Sequence, residues 1–375
     1  MHNYHGRKNR IGNRRNTHSR IFGATVVLLL LLTACFPSVQ TAIPAHPLSS
    51  TPDDGLGYAG PEVYFTDPSA IHASDYEGGP DGVLNSAIDA ARLSVDVSAY
   101  SLNLWSIRDA LIDAHKRGVM VHMVMETDNM DTPEVQEIMD AGIPVIGDQQ
   151  QGLMHNKFLV IDHMDVWTGS MNYTTSGVYK DNNNLIHIRS SAVAEDYTDE
   201  FHQMFAFKLF GPKKSAGTPH PKVSIAGMPV EIYFSPEDKP AGRILELVQA
   251  AQKSIFFLAY SFTSSEIRSA MLAPAQAGVE VAGIMDDGQV KTSAVTEYDA
   301  FRQADLDVRL DGNLNGLMHH KVIIIDQQIV IAGSYNFTGA AETTNDENVL
   351  IIFSSDVAAK YMQEYLRVYN QAQLP

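Results

Sequence analysis

The chain has 375 residues, enough for two ordinary domains with sizeable cores. With 45% hydrophobic and 19% charged residues its composition is globular, which excludes a disordered or fibrous chain. A formal charge of −17 counts against a long nucleic-acid track, because polyanions are gripped by clustered Lys and Arg, but it leaves room for one phosphate in a local basic pocket.

The first 20 residues carry Arg7, Lys8, Arg10, Arg14, Arg15 and Arg20 and no acid. An apolar run, IFGATVVLLLLL, fills residues 21–32, and Thr33-Ala34-Cys35 follows. A basic segment, a short apolar run and small residues predict a signal peptide over 1–34, since the run is short for a membrane-spanning helix. Removing that segment takes the formal charge from −17 to −23. Cys35 is the single cysteine, so the mature chain has no disulfide framework. Leu32-Thr33-Ala34-Cys35 resembles the lipobox of bacterial lipoproteins. That resemblance implies an exported, envelope-located protein, held to a membrane through a lipidated Cys35; the plainer reading is a secretory signal with an incidental cysteine. Residues 35–60, rich in Pro, Ser, Thr and Gly, read as a flexible tether.

Beyond the tether the chain repeats itself. Pro61-Glu62-Val63-Tyr64-Phe65 faces Val230-Glu231-Ile232-Tyr233-Phe234, and Ala99-Tyr100-Ser101-Leu102 faces Ala259-Tyr260-Ser261-Phe262. In the first copy residues 93–98 form a β-prone run. Apolar residues at helical spacing over 104–117 end at Gly118, and 119–125 read as a strand. A second helical piece covers 133–141. Strands are expected at 158–161 and 166–168 around a turn at 162–165, and an amphipathic helix over 192–207 closes the unit. The second copy repeats this order. The expected organisation is a first repeat over 61–212, a linker over 213–228 and a second repeat over 229–375. Each repeat is an α/β sandwich, and the two pack with pseudo-twofold symmetry. The loops are short, so the cleft should be open.

The longest match pairs GLMHNKFLVIDHMDVWTGSMN (152–172) with GLMHHKVIIIDQQIVIAGSYN (316–336). On a strand, residues two apart share a face, so His155 projects with Lys157 and His319 with Lys321. Ser170 and Asn172, and Ser334 and Asn336, are spaced likewise. Each copy thus offers an imidazole, an ammonium, a hydroxyl and an amide. That set suits a phosphodiester: lysine opposes the phosphate charge, and Ser and Asn give directed hydrogen bonds where charge accumulates. One histidine attacks phosphorus while the other protonates the departing oxygen, and a single copy has only one histidine at the motif position two places before the lysine. The duplication therefore reads as two halves of one active site, which removes the need for a dimer and suggests a monomer.

His-x-Lys-x4-Asp followed by Gly-Ser-x-Asn, twice, resembles the phospholipase D superfamily over residues 61–375. The resemblance implies a cofactor- and metal-independent reaction through a covalent phosphohistidine, with His155 as nucleophile and His319 as general acid. Lys157, Lys321, Asn172 and Asn336 would hold the phosphate, helped by Ser170 and Ser334. Asp162 and Asp326 belong to the motif in a supporting role; a turn or a bond to backbone is the common work of Asp there. Family members also place a downstream acid on the motif histidine. Glu347 fits that place for the second copy, while the first has Asn183, with Asp181 nearby. This departure leaves open an exchange of the two histidine roles.

His163, His202 and His320 read as solvent-facing. Glu126-Thr127-Asp128 and Asp286-Asp287 end corresponding strands and read as loop-capping acids, because no His or Cys joins them at ligand spacing. The first-choice substrate is a phospholipid of the phosphatidylcholine type, cleaved to phosphatidic acid and an alcohol. Tyr100, Trp105, Tyr173, Tyr260, Phe262, Tyr335 and Phe337 near the site suit an acyl or headgroup region. The alternatives are a metal-independent nuclease acting on nucleic acid, a cardiolipin-synthase-like phosphatidyl transfer, and a non-catalytic phosphate-binding lipoprotein.

Overall fold

The computed structural model describes residues 60–372. The expected signal peptide, the lipidation site Cys35 and the tether up to residue 59 lie outside the described residues.

Each copy builds one mixed sheet. The first contains β1 (Glu62–Phe65), β2 (Ser94–Ala99), β3 (Met120–Met125), β4 (Val145–Gly147), β5 (Lys157–Ile161), β6 (Asp165–Gly169) and β7 (Asn184–Arg189), in the order β1-β7-β6-β5-β2-β3-β4. Strands β2, β3 and β4 are parallel and the other pairings antiparallel. Its helices are α1 (Asp81–Ala90), α2 (Trp105–Lys116), α3 (Pro133–Asp140), α4 (Thr175–Tyr179) and α5 (Ser191–Phe205). The second sheet contains β8 (Lys222–Ile225), β9 (Met228–Ser235), β10 (Ser254–Ala259), β11 (Glu280–Met285), β12 (Asp307–Leu310), β13 (Lys321–Ile325), β14 (Ile329–Gly333) and β15 (Glu347–Phe353). Its order is β12-β11-β10-β13-β14-β15-β9-β8. The accompanying helices are α6 (Pro240–Gln249), α7 (Ser265–Gln276), α8 (Asp287–Thr292), α9 (Tyr298–Gln303), α10 (Gly339–Thr343) and α11 (Ser355–Gln371). This is the expected pair of α/β repeats. The stretch read as a linker does more than connect: residues 222–225 add β8 to β9.

The apolar runs after the motif lysines explain how the repeats dock. All of β5 and all of β13 is buried, so both faces of each sheet are covered. In β5, Leu159 and Ile161 join an outer core with α1, α2 and α3, whereas Phe158 and Val160 enter a central core. In β13, Ile323 and Ile325 face an outer core with α6 and α7, and Val322 and Ile324 the central one. The central core also takes Tyr197 and Phe201 from α5 and Tyr361 and Tyr365 from α11. Both sheets and both closing helices thus share one apolar layer, which fixes the two halves against each other.

Asp162 and Asp326 sit at the far ends of β5 and β13 from the motif histidines. Asp162 accepts hydrogen bonds from the backbone N–H of Arg92, Leu93 (2.7 Å) and Ser94. Asp326 does the same for Gln252, Lys253 (2.6 Å) and Ser254. Each also opens a hairpin turn, with φ of 53° at both residues, a conformation Asp tolerates well. The structure therefore takes these two residues out of the candidate catalytic set and gives them a turn-and-anchor role. Asp162→Ala and Asp326→Ala should each lose about 1 kcal/mol in denaturant titration, since three backbone N–H groups lose a charged acceptor, while turnover stays within about twofold.

Candidate active site

The Gly-Ser-x-Asn segments follow β6 and β14 through a glycine that cannot be replaced. Gly169 and Gly333 have φ of 143° and 147°, and a Cβ would lie 2.4 Å from the Asn184 carbonyl oxygen and 2.2 Å from that of Asn348. This close approach lets the next residue reach inward. Ser170 Oγ donates to Asn183 Oδ1 (2.8 Å) and accepts from Asn184 N–H (3.1 Å). Ser334 Oγ donates to Glu347 Oε2 (2.7 Å) and accepts from Asn348 N–H (3.0 Å). Both serines are fully buried. The structure commits them to holding residues 183 and 347, which corrects the expectation that they help grip phosphate.

Residues 183 and 347 then reach across the repeat boundary. His155 Nδ1–H donates to Glu347 Oε2 at 2.7 Å. His319 Nδ1–H donates to Asn183 Oδ1 at 2.9 Å and to the Ser170 carbonyl at 3.1 Å. The amide of Asn183 is oriented by its Nδ2, which donates to the Gly177 carbonyl at 2.9 Å. Carboxylate and carbonyl oxygens only accept, so each imidazole carries its proton on Nδ1 and leaves Nε2 for the cleft. Glu347 was expected to serve the histidine of its own copy; it serves His155 of the other. The backbone crosses too. His155 N–H donates to the Asp346 carbonyl (3.0 Å), and His319 N–H to the Asn182 carbonyl (2.9 Å).

Each lysine folds back on its own strand, Lys157 Nζ donating to the His155 carbonyl and Lys321 Nζ to that of His319 (2.7 Å). Tyr100 packs against the His155 ring with centroids 4.8 Å apart, and Tyr260 against His319 at 4.7 Å. The two ammonium groups lie 4.8 Å from the same tyrosine rings, within cation–π range. Tyr173, Phe262, Tyr335 and Phe337 are core residues, and Trp105 is 53% exposed. Asn172 and Asn336 flank the cleft half-buried, their side-chain oxygens without a protein partner.

The charge balance of the site is one-sided. Two buried lysines and two buried imidazoles share one carboxylate in direct contact, Glu347 on His155, while Glu126, Asp181 and Asp286 act on the lysines as well. Burial pushes the Lys157 ammonium down to about 7, against the pull of Glu347 and Glu126. Lys321 is driven well below its ordinary range by burial and then by Lys157. Both imidazoles are held well below the usual histidine value, by burial first and then by the two lysines. Burial raises Glu347 to about 7, with Lys157 opposing.

The capping acids do the work expected of them. Glu126 accepts from Met154 N–H (2.9 Å) and Asp286 from Met318 N–H (3.0 Å), each fixing the residue before a motif histidine. His163 and His202 are exposed as expected. His320 is not: it is fully buried, accepting from Asn184 Nδ2 (3.1 Å) at Nδ1 and donating to Glu364 (2.9 Å) from Nε2. Strand alternation explains it, since residue 320 points opposite to 319 and 321, toward α11.

The family model described as "Cardiolipin synthase, PLD-like domain" matches residues 84–205 and 244–369, one match per repeat. The chain belongs to the phospholipase D-like family. A protein of Rickettsia bellii named "Phospholipase D" is 32% identical over 164 residues, covering 42% of this chain and 81% of that protein. The human "Mitochondrial cardiolipin hydrolase" is 31% identical over 183 residues, 44% of this chain and 73% of that protein. The crystal structure of phosphatidylserine synthase from Haemophilus influenzae superposes with a TM-score of 0.62 at 12% identity, over 84% of this chain and 87% of that one. That likeness extends over both repeats and concerns the fold. Family and homologues make the protein a phospholipase D-family phosphodiesterase.

A pH dependence follows from Lys157. Its ammonium is the form that attracts phosphate and is lost as pH rises through about 7 in the ligand-free enzyme. With a soluble phosphodiester, kcat/KM should fall above that pH, and substrate binding at pH 8 should take up protons, because an anion raises the lysine again. Calorimetry in two buffers of different ionisation enthalpy reads that uptake; proton release on binding would contradict it.

Proposed function

We propose that the protein hydrolyses phospholipid phosphodiesters of the phosphatidylcholine type, giving phosphatidic acid and the headgroup alcohol, with His155 as nucleophile and His319 as general acid. The observation that carries the role assignment is the unequal pair of partners, a carboxylate behind His155 and an amide behind His319. Attack by Nε2 of His155 on phosphorus forms a P–N bond and turns the ring into a cationic phosphoimidazolium. Glu347 stands where that positive charge needs an opposite one. The P–O bond to the headgroup breaks as His319, protonated once the bound phosphodiester's negative charge offsets the two lysines, gives its Nε2 proton to the leaving oxygen. A neutral amide does little to retain that proton, so His319 is the better acid. Water then attacks phosphorus, His319 takes its proton, and the P–N bond breaks to free phosphatidate and His155. Lys157, Lys321, Asn172 and Asn336 neutralise and orient the non-bridging oxygens.

Several features support a lipid over a nucleic acid. The charge of −17 disfavours a polyanion track. An exposed leucine stands two residues before each histidine, Leu153 (36%) and Leu317 (37%), where an acyl chain or interface would approach. The lipobox-like string ending at Cys35 suits an exported, membrane-tethered lipoprotein acting on lipid at its own surface. With both half-sites in one chain, we infer that it works as a monomer.

The purified protein, with chelator present, is offered phosphatidylcholine vesicles and single-stranded DNA. Choline release is expected; DNA cleavage without lipid turnover would overturn the substrate class. His155→Asn and His319→Asn should each lower turnover by about a thousandfold or more. Phosphohistidine should be trapped in His319→Asn and never in His155→Asn; the reverse pattern would exchange the roles.

A further inference from the structure

Behind each motif histidine lies the same buried arrangement, built from different residues. In the second half, Arg367 on α11 donates from Nη2 to Glu364 Oε1 (2.6 Å) and to Asn182 Oδ1 (2.7 Å). Asn182 is the backbone partner of His319, and Glu364 holds His320, the residue between His319 and Lys321. In the first half, Lys214 Nζ lies 2.5 Å from Glu200 Oε1, 3.1 Å from Asp346 Oδ1 and 2.9 Å from Glu237 Oε1. Asp346 is the backbone partner of His155, and Glu200 accepts from Asn156 Nδ2 (2.9 Å), the residue between His155 and Lys157. Helix carboxylate, strand residue and backbone partner correspond at a constant offset: 200 with 364, 156 with 320, 182 with 346.

The cations do not correspond. The position in α5 equivalent to Arg367 is Gln203. Its amide clamps the backbone of Ser215, accepting from Ser215 N–H (2.8 Å) and donating to the Ser215 carbonyl (3.2 Å). Ser215 follows Lys214, so the helix holds in place a linker segment that delivers the charge it lacks. The Lys214 side chain is wholly buried, and its carboxylate neighbours hold it firmly protonated. Lys214 also lies outside both stretches matched by the family model, which end at 205 and resume at 244.

We propose that Lys214 and Arg367 are a matched pair of positioning residues, Lys214 for His155 and Arg367 for His319. Each cation ties a closing-helix carboxylate to the segment that hydrogen-bonds the motif histidine from the other copy. In doing so it sets both the place of the imidazole and the net charge behind it. The inference rests on the histidine roles given above.

The test uses the full chain and bis(p-nitrophenyl) phosphate, a soluble diester that needs neither lipid nor DNA. Around His155 the charged and titratable groups are Glu347, Lys157, Lys321, His319, Tyr100 and Glu126, with the Lys214 cluster behind. Around His319 they are Lys321, Lys157, His155, His320, Tyr260, Asp181 and Asp286, with Arg367, Glu364 and Asp67 behind. Lys214→Met leaves three carboxylates behind His155 without their cation, which favours the imidazolium. The acid limb of the kcat–pH profile should move up by about half a unit or more. Arg367→Met should instead move the alkaline limb up. Adding Glu200→Gln to the first variant, or Glu364→Gln to the second, restores the net charge and should return the limb. Glu200→Gln alone should move the acid limb down, and it serves if Lys214→Met does not fold. Lower kcat in the Met variants with both limbs unmoved, or no recovery in the double variants, would reduce the pair to plain structural residues and overturn the proposal. If Lys214→Met moves only the alkaline limb and Arg367→Met only the acid limb, the positioning pair stands and the roles of His155 and His319 are exchanged.

Discussion

Each motif imidazole owes its tautomer to a side chain from the other repeat. The bonds from His155 to Glu347 and from His319 to Asn183 put both Nδ1 protons on acceptors that cannot donate. Both Nε2 atoms therefore present lone pairs, or a transferable proton, to one cleft. A hydrogen bond of this kind tolerates errors of a few tenths of an ångström, so the two sheets must dock rigidly. The shared central core supplies that rigidity, with Tyr197 and Phe201 from one closing helix and Tyr361 and Tyr365 from the other in a single apolar layer. Packing and chemistry are thus one problem, since the core that joins the sheets also sets the imidazoles against their partners.

The same docking gathers buried charge that the ligand-free protein neutralises poorly. Lys157 and Lys321 are each about 1% exposed, bonded only to the carbonyl two residues back and resting on a tyrosine face. Burial lowers the proton affinity of both, more than Glu347 and the neighbouring acids restore it. An anionic phosphodiester opposes that lowering, so binding draws on strain already present in the fold. Behind the strands, Lys214 and Arg367 tie closing-helix carboxylates into a polar layer separated from the cleft by the motif strands.

Much of this was legible in the sequence, for identifiable reasons. The repeats show because matched segments such as Tyr100 and Tyr260 occupy the same place in each sheet. The motif histidines show because strand periodicity couples residue 155 to 157 and 319 to 321. The direction of Glu347 did not show. Its spacing from His319 is local, whereas its partner is set by how the two repeats face each other, which no spacing records. His320 was misread because its neighbours lead to the cleft while alternation turns it toward α11. Lys214 was hidden by its setting, since a lysine among Gly, Pro, Ser and Thr reads as solvent-exposed until three distant carboxylates are brought around it. Asp162 and Asp326 were read as turn residues from residue type alone, and their backbone partners, some seventy positions upstream, emerged only with the fold.

Joining the copies into one polypeptide has a consequence for symmetry. Two identical half-length chains meeting on a twofold axis would set the same amino acid beside both rings, and a mutation there would alter both at once. In one chain positions 183 and 347 are free to differ, and they do: one is an amide, the other an acid. A single chain can thereby hold a lasting asymmetry across its cleft, which two identical copies could not.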